Sequence, residues 1–214
     1  DQVQGGGQAP FLAALAIARS YDDASPAGRT DVYGGTDDSH TLYRLDDRVW
    51  VPLATFSSQI LALAVDPGFS RPNNPRLFVA TQGAPFVAEV ADHPSSVVVN
   101  PLGRNLTEAW ITDVDTAPDL GQNPYLFVST WGLGVHKLNL ADPGGLWTPV
   151  GVDFPAWWTD CLVVSPVFNV DRAIYAGTQY GLLRGADFPG VRWAPIAAEV
   201  ARDDEDPGFT TYTP

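Results

Sequence analysis

The sequence predicts an all-β chain built from four copies of one four-stranded antiparallel unit. Two observations carry that expectation: three sequence anchors recur four times at one period, and the composition is rich in turn formers and aromatics. Of 214 residues, 20 are Gly and 19 are Pro, and aromatics make up 11%. Hydrophobic residues reach 45% against 17% charged, too apolar for a disordered chain. The length suffices to bury a core without staples, and no apolar run approaches the roughly 18 residues that span a bilayer.

The first anchor is a short apolar run that opens each unit: Ala14–Ala18, Leu61–Val65, Trp110–Val114 and Cys161–Val164. Its small and β-branched residues suit a crowded innermost strand. The second is an aromatic-centred strand ending in threonine: Val32–Thr36, Leu77–Thr81, Leu126–Thr130 and Ile174–Thr178. Successive threonines lie 45, 49 and 48 residues apart. An extended stretch follows in each copy: Thr41–Leu45, Phe86–Val90, Gly134–Leu138 and Gly181–Arg184. The last anchor is a bulky residue two before a proline, as in Trp50-Val51-Pro52, Val99-Asn100-Pro101, Trp147-Thr148-Pro149 and Trp193-Ala194-Pro195. Proline cannot donate a ladder hydrogen bond, so this strand belongs at the outer edge of its sheet.

Four antiparallel strands per 45 to 50 residues is the arithmetic of a β-propeller blade. The blades are expected at about 11–56, 57–105, 106–152 and 153–196, with an N-terminal extension over 1–10 and a C-terminal one over 197–214. A closed four-bladed ring is the simplest arrangement. The other is a partial propeller, whose two open sheet faces are completed by a second copy or a partner.

The run Val164–Thr178, continued by Gly181-Leu182-Leu183-Arg184 and Trp193-Ala194-Pro195-Ile196, resembles the Asp-box (BNR, sialidase-like) propeller repeat, also found in sortilin-like propellers. Asp142, Gly144 and Trp147 keep the spacing of the Asp box, although its usual preceding serine is Leu140 here. Asp187, Gly190 and Trp193 form a version one residue longer, and the first two copies lack it. The resemblance implies a fold, with the Asp boxes in turns away from the binding face. Sialidase-type activity would require an arginine cluster, a Tyr-Glu pair and an acidic proton donor. The eleven arginines do not recur at corresponding first-strand positions: Arg19 has Pro67, Thr116 and Pro166 as its approximate counterparts.

Twelve Lys+Arg against 25 Asp+Glu leave a formal charge of −13, which disfavours nucleic acid and anionic membrane surfaces as partners. Cys161 is the sole cysteine, which excludes an intrachain disulfide, a CxxC redox site and a Cys-rich zinc site. With no methionine anywhere, the chain reads as a processed product, and export without disulfides favours a bacterial, secreted or extracytoplasmic protein. His40, His93 and His136 occupy different repeat positions, so no metal is expected, and no motif calls for a cofactor. The acidic groups Asp22-Asp23 and Asp203–Asp206 lack the ligand spacing of a calcium loop and read as solvated. Asn105-Leu106-Thr107 matches the N-glycosylation pattern.

Turns between the second and third strands should gather with the inter-blade crossings at one face. That rim collects Asp37, Gln82, Trp131, Gln179 and Tyr180, with Trp157, Trp158 and Asp160 from a crossing. Aromatic plates beside amides and a carboxylate suit sugar, whose C–H faces stack while its hydroxyls need polar partners. Trp157 and Trp158 have a structural alternative as packing between blades. Asp113 and Asp115 are candidate channel carboxylates, for catalysis or for solvating the channel. The expected function is a non-catalytic binding or assembly module for protein or glycan, able to form a homo-oligomer. The alternatives are a sialidase-like glycoside hydrolase and a structural subunit of a larger extracellular complex.

Overall fold

The computed structural model describes residues 12–196, apart from 23–24, 70–72, 85, 94–95, 107–109, 119–123 and 157. The Asp203–Asp206 run, both terminal extensions and Trp157 lie outside the described residues. Among the described residues sixteen strands form four separate four-stranded antiparallel sheets whose strands are neighbours in chain order. The first holds β1 (Leu12–Asp22), β2 (Ser25–Thr36), β3 (Thr41–Asp46) and β4 (Val49–Thr55). The second holds β5 (Ile60–Val65), β6 (Arg76–Thr81), β7 (Val87–His93) and β8 (Ser96–Pro101). The third comprises β9 (Trp110–Thr116), β10 (Tyr125–Trp131), β11 (Gly134–Asn139) and β12 (Thr148–Pro149). The fourth comprises β13 (Thr159–Val164), β14 (Ala173–Thr178), β15 (Gly181–Ala186) and β16 (Ala194–Pro195), with one short helix, α1 (Phe168–Asp171), before β14. This is a four-bladed β-propeller fold.

Prolines 52, 101, 149 and 195 all sit in the outermost strands, where their missing N–H leaves no ladder bond unmade. The repeated threonines end the second strands and staple the turn that follows. Thr81 Oγ1 donates to the Gly83 carbonyl at 2.8 Å, Thr130 Oγ1 to Gly134 at 2.8 Å and Thr178 Oγ1 to Gly181 at 2.9 Å. Thr36 does the same to Thr41 at 3.3 Å. Hydroxyls also accept backbone N–H groups from Thr41, Leu133 and Tyr180.

The first strand of every blade carries one extra residue at the same place. Ladder register skips between Leu12 and Ala14, Ile60 and Ala62, Ile111 and Asp113, and Thr159 and Cys161. The bulged residues are therefore Ala13, Leu61, Thr112 and Asp160. Such bulges re-aim side chains at the rims of sheets.

Beyond the bulge, alternate side chains face the next blade and the previous one. Ala14 and Ala16 in blade one, and Ala62 and Ala64 in blade two, are buried toward the next blade, where small side chains let the inner strands approach. Tyr33, Phe78 and Phe127 fill the wider space behind them and are fully buried. Each such ring contributes about 1.5–3 kcal/mol. Farther out, Trp147 packs over Gly103, and Trp193 packs over Gly151 and donates its indole N–H to the Val150 carbonyl at 2.8 Å. The cores are continuous from blade two to blade four and from blade one to blade two.

Strand β1 packs on β5, β5 on β9 and β9 on β13. Among the described residues no comparable packing joins β13 or β14 back to β1. Among the described residues the blades thus make an open arc, the second of the two expected arrangements. Leu15 and Ile17 on blade one are 57% and 58% exposed, and Val163 on blade four is 55% exposed. Residues at these positions between blades three and four, Leu162 and Val164, are buried.

Candidate ligand-binding rim

Three repeat positions converge where the first strands begin and the second strands end. They are the residue two before the bulged one, the bulged residue itself, and the residue after the stapling threonine. Blade two supplies Gln59, Leu61 and Gln82; blade three supplies Trp110, Thr112 and Trp131; blade four supplies Trp158, Asp160 and Gln179. Within each blade the outer two are adjacent. Gln82 N–H donates to the Gln59 carbonyl at 3.0 Å, Trp110 pairs with Trp131, and Gln179 N–H donates to the Trp158 carbonyl at 3.4 Å.

Gln59, Leu61, Gln82, Trp110, Ile111, Thr112, Trp131 and Asp160 enclose an open cleft of about 330 Å³. The tryptophans form a stack. Trp110 and Trp131 lie 5.1 Å apart with planes 8° from parallel, and Trp131 and Trp158 lie 5.4 Å apart at 23°. All three remain 41–53% exposed, unlike the buried Trp147 and Trp193. The Gln179 side-chain carbonyl accepts the Trp158 N–H at 2.7 Å and so fixes the end of the stack. Thr112 Oγ1 shares a hydrogen bond with Ser129 at 2.8 Å.

Of the residues expected at the rim, Gln82, Trp131, Trp158, Asp160 and Gln179 come together. Tyr180 is exposed on the turn beside Gln179, and Asp37 stands on the blade-one turn without lining the cleft. Trp110, Gln59 and Thr112 join the site although sequence reading did not place them there. Trp110 could have been found, since it holds the repeat position of Gln59 and Trp158.

Asp113 and Asp115 are not open channel carboxylates. They turn sideways and bind blade four's backbone. Asp113 accepts N–H groups from Val114 at 2.8 Å and Leu162 at 2.9 Å; Asp115 accepts from Thr116 at 2.7 Å and Val164 at 2.8 Å. Burial pushes both carboxyls upward, Asp115 to about 6, against the opposing pull of those N–H groups. His136 is pushed downward by burial, opposed by a backbone hydrogen bond at Gly134.

The residues that keep Asp-box spacing in the sequence also have structural work. Asp142 closes its own turn by accepting the Gly145 N–H at its carbonyl, while Gly144 and Gly190 lie exposed. Asp187 forms an ion pair with Lys137 of the preceding blade. Parallel bridges from Arg104 to Leu146 and from Val152 to Arg192 dock the loops that hold them on the blade before. No cluster of three or more metal-ligating side chains occurs among the described residues.

No family model and no curated protein matches the chain. Solved structures do resemble it. The dihydro-heme d1 dehydrogenase NirN, solved with DHE, matches with a TM-score of 0.59 at 16% identity, over 87% of this chain and 37% of that one. The extracellular domain of a protein ascribed to a hybrid two-component system of B. thetaiotaomicron matches with a TM-score of 0.55 at 15% identity, over 84% and 24%. The computationally designed Ika8 protein gives a TM-score of 0.53 at 12% identity, over 85% and 48%. These likenesses are of fold alone. The chain spans between a quarter and a half of the length of these structures. No helix among the described residues is long and apolar enough to cross a membrane.

Proposed function

We propose that this chain is a non-catalytic, extracytoplasmic propeller of the Asp-box type whose rim binds a glycan. The observation that carries the reading is the exposed Trp110–Trp131–Trp158 stack bordering a cleft with two glutamine amides, a threonine hydroxyl and the Asp160 carboxylate. The exposed indole faces at the ends of the stack take the C–H faces of a sugar ring, and the amides and carboxylate satisfy its hydroxyls. Stacked, pre-positioned rings lose little conformational entropy on binding. A non-catalytic role is favoured over glycoside hydrolysis because the inner carboxylates, Asp113 and Asp115, already spend both oxygens on backbone N–H groups.

The test is a glycan array followed by calorimetry on the sugars retained. Trp131→Ala and Gln82→Ala should each weaken binding about tenfold or more while the circular dichroism spectrum of the fold is kept. Retention of no glycan, or binding indifferent to Trp131→Ala, would overturn this reading. Turnover of a glycoside abolished by Asp113→Asn would replace it with the hydrolase.

A further inference from the structure

The rim cleft carries a charge that the repeat does not call for. The bulged position of the first strand holds Ala13, Leu61, Thr112 and Asp160 in turn, so blade four alone places an ionisable group there. The bulge re-aims Asp160, which lines the cleft together with Gln59 and Gln82 of blade two. Asp160 is exposed, and its carboxylate makes no hydrogen bond or ion pair with any described residue. By contrast, Asp66 is neutralised by Arg76, Asp92 by Arg44 and Asp187 by Lys137.

No cation of the cleft balances it. The lining is two amides, one hydroxyl, apolar side chains and this one carboxylate. The turns and crossings that make the rim face cover residues 37–40, 56–59, 82–86, 102–109, 132–133, 151–158 and 179–180, and their one Lys or Arg is Arg104. Arg104 does not line the cleft: its backbone N–H donates to the Gly145 carbonyl at 3.0 Å and its carbonyl accepts the Trp147 N–H at 3.5 Å, toward the outer edge of blade three. Asp37 and Asp38, both exposed, stand in the same set of turns and add to a negative field. An anionic sugar such as a uronate or a sialoside therefore meets no counter-charge in the cleft. An ammonium group meets two attractions, the Asp160 carboxylate and the exposed indole faces at the ends of the tryptophan stack.

We infer that the rim selects amino sugars, glycans whose hexosamine units carry a free, protonated amine that donates to the Asp160 carboxylate. The inference rests on the glycan-binding reading of the same cleft and names its substrate class. The Gln59 and Gln82 amides then serve the hydroxyls, and acylation of the amine removes both the charge and the donor geometry that Asp160 uses.

The test is calorimetry of the full chain with matched oligosaccharides, oligomers of glucosamine and of galactosamine, each in free-amine and N-acetylated form, in mildly acidic buffer. The free-amine member of a pair should bind about fivefold or more tighter, and added salt should shrink that gap. Asp160→Asn should bring the two forms to within about twofold of each other, and Asp160→Lys should reverse the preference, with the circular dichroism spectrum kept in both. Equal affinity for the two forms, or a preference that survives Asp160→Asn, overturns the amino-sugar assignment, while binding of neutral sugars that Trp131→Ala weakens leaves the glycan reading standing. Binding of neither member of either pair also overturns the assignment, and the glycan array then decides separately whether the glycan reading falls with it.

Discussion

The Asp115 carboxylate accepts the Val164 backbone N–H at 2.8 Å, a bond from the inner strand of blade three to that of blade four. Together with Asp113 and Leu162 it makes a two-rung ladder in which side chains stand in for strand carbonyls. Because burial raises Asp115 to about 6 from an ordinary 3.8, the folded state holds this proton more tightly than the unfolded chain. Its contribution to stability is complete below the unfolded value and is lost as pH rises through about 6. The melting-temperature difference between the parent and Asp115→Asn should be more favourable to the parent at pH 4 than at pH 7. A difference that stays constant would show that Asp115 titrates normally.

Replacing Thr130 by valine keeps its shape but removes the hydroxyl that bonds Gly134 and Leu133. In this fully buried setting the loss should be about 1–2 kcal/mol in denaturant unfolding. Thr178→Val, at a more exposed copy of the same turn, should lose less.

Gly103 has a φ of +66°, and a β-carbon there would fall 2.1 Å from the Trp147 indole nitrogen. Gly103→Ala should cost more than 2 kcal/mol, about the upper end of overpacking combined with left-handed strain. Gly132, at φ +89° with open space around it, carries only the backbone penalty, so Gly132→Ala should cost about 1 kcal/mol.

Near-ultraviolet circular dichroism should show the coupled signal of the Trp110–Trp131 stack, and Trp131→Ala should abolish it with little change in melting temperature. Trp147→Ala, which empties a buried site, should instead cost about 3–5 kcal/mol. Equal destabilisation by the two would mean that the rim stack supports the fold.

Much of the fold was legible because each repeated residue answers a local demand. Threonine recurs because every second turn needs its hydroxyl, and proline recurs because only an edge strand tolerates it. The rim was partly legible: Trp131, Gln82 and Gln179 follow those threonines directly. Trp110 was missed because it was read as strand core, whereas it precedes the first strand's bulge. The same one-residue bulge misdirected Asp113 and Asp115, since an inserted residue exchanges the faces of everything after it. Ring closure was not legible because it depends on small rotations accumulated over three seams, which no single repeat encodes.

Contact restricted to adjacent blades makes each sheet the cooperative unit of unfolding. Among the described residues the first and fourth sheets have one neighbour each and the middle sheets two. Amide exchange should therefore advance inward from β1 and β15, with β6 and β10 protected longest.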